Sequence, residues 1–454
     1  MTTIAPNPYL LGNFAPVRDE RDDADLEVTG AIPPALHGLL LRNGPNPVVD
    51  PDPASYHWFL GDGMLHGIEL RDGRARYRNR WVRTGPACEA LHEPAPSGAP
   101  PEVNGIPAVA NTHVVAHAGH IYALVESSLP TEVRPDLSTV GETNFDGKLT
   151  TPFTAHPKSD TTTGELHFFG YDFVGPPYLR YHVLGPDGSL THTEAIELPA
   201  PAMVHDFAVT ASRVVFLDLP VLFDMALVGK RPFPFTWRPD NGARVGVMPR
   251  GGSDSDIVWC DIEPCYVFHV LNAYDDADRN VVIDVVRYAD MFATDVHGPG
   301  SSANTRLERW TVDVTRRHVG IELVDDTAQE FPRVDDRQVG RVHRYGYATE
   351  IAIATSWADL GSLRKHDLVS GKSQRHDVGT DRAAGEPVFV PASPDAGEDE
   401  GWVLAVVYDA ATDSSDVLVI DATDFTAPPV ATIHLRRRVP FGFHGTWVDG
   451  ASLG

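Results

Sequence analysis

Four histidines stand in apolar, strand-like sequence: His156 in PFTAHPK, His205 in MVHDFAV, His269 in CYVFHVLNAY and His444 in FGFHGTWV. A neutral imidazole is a common metal ligand. Alone, each of these histidines reads as a hydrogen-bonded core residue, but their spacing adds something. The separations are 49, 64 and 175 residues, or about one, one and three units of a repeat of ~40–65 residues. Such a pattern brings distant side chains together on the axis of a closed ring. Four neutral imidazoles without cysteine or carboxylate suit iron, copper, nickel or zinc, and spacing does not choose among them. Other histidines, among them His192, His297, His318, His366 and His376, have polar neighbours and are expected to be solvated. The chain contains no HExxH, GxSxG, Walker loop or strand-to-helix GxGxxG, so no local catalytic motif competes with the histidines.

The elements that must position these residues read as antiparallel hairpins. HVVAH-AG-HIYALVE, LRYHVL-GPDG-SLTHTEAI, RWTVDVTRRHVGIELV and GWVLAVVYDAATDSSDVLVIDA each alternate apolar and polar residues around a turn, the last with its turn expected at Thr412 to Ser415. Helical periodicity is scarce, with Asp218 to Gly229 the one candidate. Hairpins spread over some 400 residues leave many sheet edges to hide, which radial repetition of four-stranded blades does better than one oversized sandwich. We therefore expect an all-β fold, a β-propeller of about seven blades forming one domain over residues 1–454. No Pro/Ser/Gly-rich linker divides the chain into the two sandwiches that are the alternative. Glu93 to Val103 and Pro394 to Glu400 read as surface loops.

Composition removes whole classes of function. Asp and Glu number 63 against 37 Lys and Arg, a formal net charge of −26 that repels nucleic acid and anionic membranes. With 39 glycines and 38 prolines, the chain is rich in turns. The three cysteines, Cys88, Cys260 and Cys265, fit no zinc spacing and point to a reducing compartment. The N-terminal residues lack the basic and apolar regions of a signal peptide, and no apolar run approaches 18 residues, so a soluble cytoplasmic protein is expected.

Further segments carry a resemblance: NPYLLGNFAPV (Asn7 to Val17), LRNGPNP (Leu41 to Pro47), HWFLGDGMLHG (His57 to Gly67), YRNRWVRT (Tyr77 to Thr84), QEFPRV (Gln329 to Val334), GEPVFVP (Gly385 to Pro391) and VPFGFHGTW (Val439 to Trp447). In this order, with the four histidine contexts between them, they resemble the carotenoid cleavage oxygenases, a family that includes the retinal pigment epithelium isomerase and the lignostilbene dioxygenases. The resemblance covers nearly the whole chain. It implies a seven-bladed propeller with loops capping one face and a non-haem Fe(II) ion on the axis, held by His156, His205, His269 and His444. It also implies carboxylates behind three of the histidines, at Glu126, Glu330 and Glu386. Alone, each glutamate reads as a solvated surface residue, but flanks such as VFVP point to burial. Such carboxylates would fix ring tautomers and compensate the metal's charge.

The implied reaction adds dioxygen across an electron-rich C=C bond to give two carbonyl products, with no catalytic protein group beyond the metal centre. Thr112 is implied beside the open coordination position. Stilbene-cleaving relatives hold a phenol with Tyr and Lys, and the matching positions here are Trp81 and His120, neither suited to a phenolate. Trp81 and Phe292 are instead expected to line an apolar tunnel. A carotenoid or apocarotenoid therefore ranks ahead of a lignostilbene or other phenylpropanoid alkene. The segment Asp218 to Asp240 offers Leu222, Phe223, Met225, Phe233 and Phe235 as a small docking patch, so at most weak peripheral membrane contact is expected. A non-oxidative metal-dependent isomerase or hydrolase, or an inactive ligand-binding propeller, are the alternatives of another class.

Overall fold

A computed structural model describes residues 7–96, 103, 107–292, 297–302, 305–351 and 360–453. Seven antiparallel sheets are arranged as the blades of a β-propeller, with a separate two-stranded ribbon. The second to sixth blades each take four strands in chain order, consecutive except in the fourth, where the ribbon is inserted between the second and third strands. Their innermost strands are His113–His117, Lys158–Asp160, Ala208–Val209, Tyr266–Asp275 and Gln329–Arg333.

The remaining two blades close the ring with strands from both ends of the chain. In the first blade the late strand Gly445–Asp449 lies innermost and pairs with Gly38–Pro45, followed outward by Gly63–Arg71, Arg74–Trp81 and Arg21–Asp23. In the seventh, the early strand Glu27–Gly30 forms the outer edge against Ala431–His434. Closure at two points leaves no pair of blades held by packing alone, and the blades keep only their outer strands as edges.

Side-chain alternation follows position in the blade. The outer strand Leu190–Ile196 alternates half-buried and exposed residues, as one covered face requires. The inner strand Tyr266–Asp275 is buried at its first eight positions because neighbouring blades cover both faces. Between the first and seventh blades, Leu40, Ile68 and Tyr77 pack with Leu404, Val406 and Val419.

The four expected hairpins are present, and in the second blade Ala118 and Gly119 take φ of 49° and 80°, the two positive values a tight I′ turn needs. The last hairpin turns earlier than expected, since Ser414 already pairs with Asp409. The segment Asp218 to Gly229 is not an α-helix. Val221–Phe223 pairs with Phe235–Trp237 to form the ribbon, and a 3₁₀ turn follows at Met225–Leu227, where the Asp224 carboxylate accepts from the Ala226 amide. The single α-helix among the described residues, Gly85–Leu91, was not expected. Thr84 caps its start, Pro86 fits its first turn and His92 ends it in the left-handed region. Of the loop Glu93 to Val103, residues 97–102 lie outside the described residues, as do residues 1–6.

All three cysteines are buried and unbonded, and burial pushes the Cys265 thiol up to about 12. No helix among the described residues is long and apolar enough to cross a membrane. His366 and His376 are buried rather than solvated. Their rings bond to Gln329 Oε1 at 2.7 Å and to the Phe425 carbonyl at 2.9 Å. At His376 the polar neighbours Arg375 and Asp377 face outward while the histidine faces in; at His366 the neighbouring Lys365 is itself buried, its ammonium paired with Asp399.

Candidate metal centre

The four histidines of the apolar contexts meet on the axis. His156 and His205 sit just before the innermost strands of the third and fourth blades, and His444 just before Gly445–Asp449. His269 lies inside the fifth blade's inner strand, where the register shifts between Val267 and Val270. Strict alternation would send Phe268 and His269 to opposite faces; the irregularity lets both reach one cavity.

One nitrogen from each ring lies within 4.8 Å of the others, and all four residues are buried. His156 Nε2 is 3.0 Å from His205 Nε2, which is 3.3 Å from His269 Nε2. The opposite nitrogens are engaged by carboxylates: His205 Nδ1 by Glu126, His269 Nδ1 by Glu330 at 2.6 Å and His444 Nδ1 by Glu386 at 2.8 Å. Carboxylates accept, so each Nδ1 carries the proton and the inward Nε2 atoms are lone pairs. Lone pairs facing each other at about 3 Å in a buried site repel, and a cation between them reverses the sign. Metal–nitrogen bonds of ~2.1 Å set at right angles place the nitrogens ~3.0 Å apart, so the donor set fits a metal ion in both chemistry and spacing.

Each carboxylate is itself held. Tyr171 donates its hydroxyl to Glu126 at 2.7 Å, and Tyr288 to Glu330 at 2.8 Å. The Phe331 amide donates to Glu330 at 2.5 Å, and the Gly445 amide to Glu386 at 2.7 Å. Arg333 lies 3.2 Å from Glu386. Three carboxylates, one guanidinium and a dipositive ion would leave this buried group near neutrality. Burial, and then the neighbouring imidazoles, hold His156 and His444 well below 6.5, in the neutral form a ligand requires. For His269 burial acts the same way, but Glu330, with Asp206 and Glu386, outweighs it and the shift is upward. Burial and Glu126 push the Tyr171 phenol well above 10, so it stays a donor.

With this geometry in place, comparison with known proteins is decisive. The profile of the retinal pigment epithelial membrane protein family matches residues 14–449. The chain belongs to the carotenoid cleavage oxygenase family. The carotenoid cleavage oxygenase of Mycobacterium tuberculosis is 42% identical over 97% of each chain. The lignostilbene dioxygenase of Pseudomonas brassicacearum superposes with a TM-score of 0.88 at 30% identity, over 99% of this chain and 100% of that one. The cobalt-substituted apocarotenoid oxygenase of Synechocystis gives 0.86 at 28% identity, over 98% and 99%. This carotenoid cleavage oxygenase family is one of metal-dependent dioxygenases, and the buried four-histidine group lies where its fold has an axis.

An apolar cavity of about 280 Å³ opens on one side of the histidines, with His205, His269 and His444 in its wall. Thr112 lines it, together with Phe59, Phe268, Phe331 and Phe443, which the sequence did not single out. Three other expected residues do not line it. Trp81 is buried against Val17 and Met64, and its indole N–H donates to the Asn46 carbonyl at 2.8 Å. It ends the fourth strand out from the axis, and strands ~4.8 Å apart put it beyond reach of the hub. His120 is exposed beside the hairpin turn and pairs with Glu132 at 2.9 Å. The strand His120–Leu124, roughly 13 Å of extended chain, separates it from the turn that carries Glu126 to the cavity. Phe292 stands behind the wall, its ring 5.1 Å from that of Phe233 and 6.1 Å from that of Phe268. Phe223, Phe233 and Phe235 line the cavity rather than forming an outward patch, while Met225 is exposed. Sequence reading also passed over His113, whose ring lies 5.1 Å from His444 and whose Nδ1 meets the Ala155 carbonyl at 2.7 Å.

These placements predict that His120→Lys leaves turnover of a 4-hydroxystilbene unchanged within about twofold, measured as initial rate. Trp81→Phe removes one buried hydrogen bond and is expected to cost about 1 kcal/mol by denaturant titration, with the same products.

Proposed function

We propose that this chain is a non-haem Fe(II) dioxygenase cleaving a C=C bond of a carotenoid or apocarotenoid into two carbonyl compounds. His156, His205, His269 and His444 would hold the iron, with Glu126, Glu330 and Glu386 fixing three of the rings. When bound, iron supplies the means to activate dioxygen. The alkene provides all four electrons, since one C=C and one O₂ become two C=O groups, so no reductant is required.

The observation that carries the substrate class is the cavity wall. Around the histidines phenylalanine, proline, valine and methionine predominate, with Thr112, Glu126, Ser127 and Tyr171 as polar members, and among the described residues no lysine or arginine lines it. The Tyr171 hydroxyl, the only phenol among the described lining residues, is committed to Glu126. A polyene needs apolar walls that exclude water and hold the chain in one register against the metal, which aromatic rings supply. A phenolate would need a cation that this wall lacks. Thr112, with its hydroxyl donating to Asn111 Oδ1 at 2.9 Å, offers the cavity its methyl side and narrows the approach to the histidines. Leu60 is both exposed and part of the wall, so the mouth has only a small apolar rim and membrane contact is at most peripheral.

The test is to incubate the ferrous enzyme aerobically with apocarotenals and, in parallel, with 4-hydroxystilbenes, identifying aldehydes by mass spectrometry. Apocarotenal cleavage faster by at least about tenfold is expected. Preference for hydroxystilbenes would reverse the substrate assignment, and turnover without dioxygen would replace the dioxygenase reading by an isomerase or hydrolase.

A further inference from the structure

Three of the four histidines have a carboxylate behind them, and His156 has none among the contacts described above. What stands beside it instead is an ion pair. Lys158, two residues further along, places Nζ 2.7 Å from Asp206 Oδ1. Asp206 directly follows His205, and its other oxygen accepts from the Val270 amide at 2.8 Å. Val270 directly follows His269. The first oxygen also takes the Phe207 amide at 2.8 Å. One carboxylate thus joins the segments that carry His156, His205 and His269, on the third, fourth and fifth blades. Asp206 is 2% exposed and the Lys158 side chain 17%. Both line a second, more polar cavity of about 250 Å³ on the other side of the histidines from the apolar one, shared with His156, His269 and His444.

From this arrangement we infer that Lys158 and Asp206 are positioning residues for the metal site, an ion-pair clamp that sets the relative heights of three ligand-bearing segments. The inference rests on the four-histidine group holding a metal. Blades meet largely through apolar side chains, and apolar contact is non-directional, tolerating small slides of one sheet against the next; the other ion pairs between these three blades, Arg250 with Asp160 and Arg213 with Asp275, stand at least four residues from any of the four histidines. Metal ligands tolerate errors of only about 0.2 Å. A carboxylate that accepts amide protons from two segments and an ammonium from a third supplies the missing directionality. Asp206 also compensates the Lys158 charge, which would otherwise face a dipositive ion alone.

The test uses the metal-free full-length chain and Co(II) as probe, following its visible absorption for affinity and coordination, with the thermal midpoint of the metal-free chain as control. Lys158→Met and Asp206→Asn are each expected to weaken cobalt affinity about tenfold and to alter the absorption band. Lys158→Arg should restore both. If a single variant does not fold, the double variant Lys158→Met/Asp206→Leu strands no buried charge, and it should fold yet bind cobalt with the same deficit. Unchanged affinity and band in the folded double variant, whatever its thermal midpoint, would leave the pair a purely structural contact and overturn the inference. A wild-type chain that takes up no cobalt would overturn the metal reading and this one together.

Discussion

Replacing His205 by alanine yields a folded chain that retains no metal and cleaves no alkene. The ring is one of three whose Nδ1 is fixed by a carboxylate, here the partly buried Glu126, so its Nε2 is aimed before any metal arrives. Truncation removes that donor and leaves Glu126 with Tyr171. The three remaining imidazoles keep their positions, but one side of the site opens toward the apolar cavity, which offers no replacement nitrogen. Folding is affected far less. His205 precedes Ala208–Val209 rather than forming part of it, and the blade is held by the pairing of Arg213–Asp218 with Ala243–Pro249. Metal analysis should find less than a tenth of the wild-type content, and product formation should fall by more than about a thousandfold, the scale on which loss of a group acting at the reacting atoms is felt. Circular dichroism should match the wild type. A variant that loses its metal but keeps full activity would contradict the metal-centred chemistry altogether.

How much of this was legible in the sequence depends on what kind of signal each residue carried. The four clustered histidines were readable because an imidazole in apolar sequence is costly unless satisfied, and because their spacing matched whole blades. Glu330 and Glu386 were singled out only through the family resemblance; a glutamate by itself reads as solvated, and only apolar flanks such as VFVP beside Glu386 hinted at the burial both show. Trp81 and His120 failed for a geometric reason. Alignment to a family motif fixes the position along a strand, but not the distance of that strand from the axis or which end of the hairpin faces the site. Phe223, Phe233 and Phe235 failed because apolar residues between prolines look the same whether they face lipid, solvent or a cavity. The Lys158–Asp206 pair could not be found at all from sequence, because its meaning lies in which backbone amide the second oxygen meets.

Glu330→Gln separates the electrostatic from the steric contribution of the buried carboxylates. The side chain is fully buried and accepts three protons, from His269 Nδ1, the Tyr288 hydroxyl and the Phe331 amide. Glutamine keeps the shape but offers one acceptor oxygen and an NH₂. If that oxygen accepts from His269, the NH₂ confronts a group that now donates to Glu330; if it turns round, two N–H groups oppose each other. The charge that raises His269 also vanishes, making this ring a poorer ligand. Metal affinity should fall by about 10–100-fold, the usual effect of losing such a partner. Glu386→Gln should weaken the metal similarly, but it adds a different cost. Arg333 loses its buried counter-charge and keeps only the half-exposed Asp336, so the metal-free chain should lose on the order of 3 kcal/mol, less whatever that contact retains. Cobalt titration and denaturant unfolding of the two metal-free variants therefore give different pairs of results, with affinity lost in both and stability lost mainly in Glu386→Gln. Equal loss of stability would mean that Arg333 does not depend on Glu386, and that the charge balance drawn for the site is wrong.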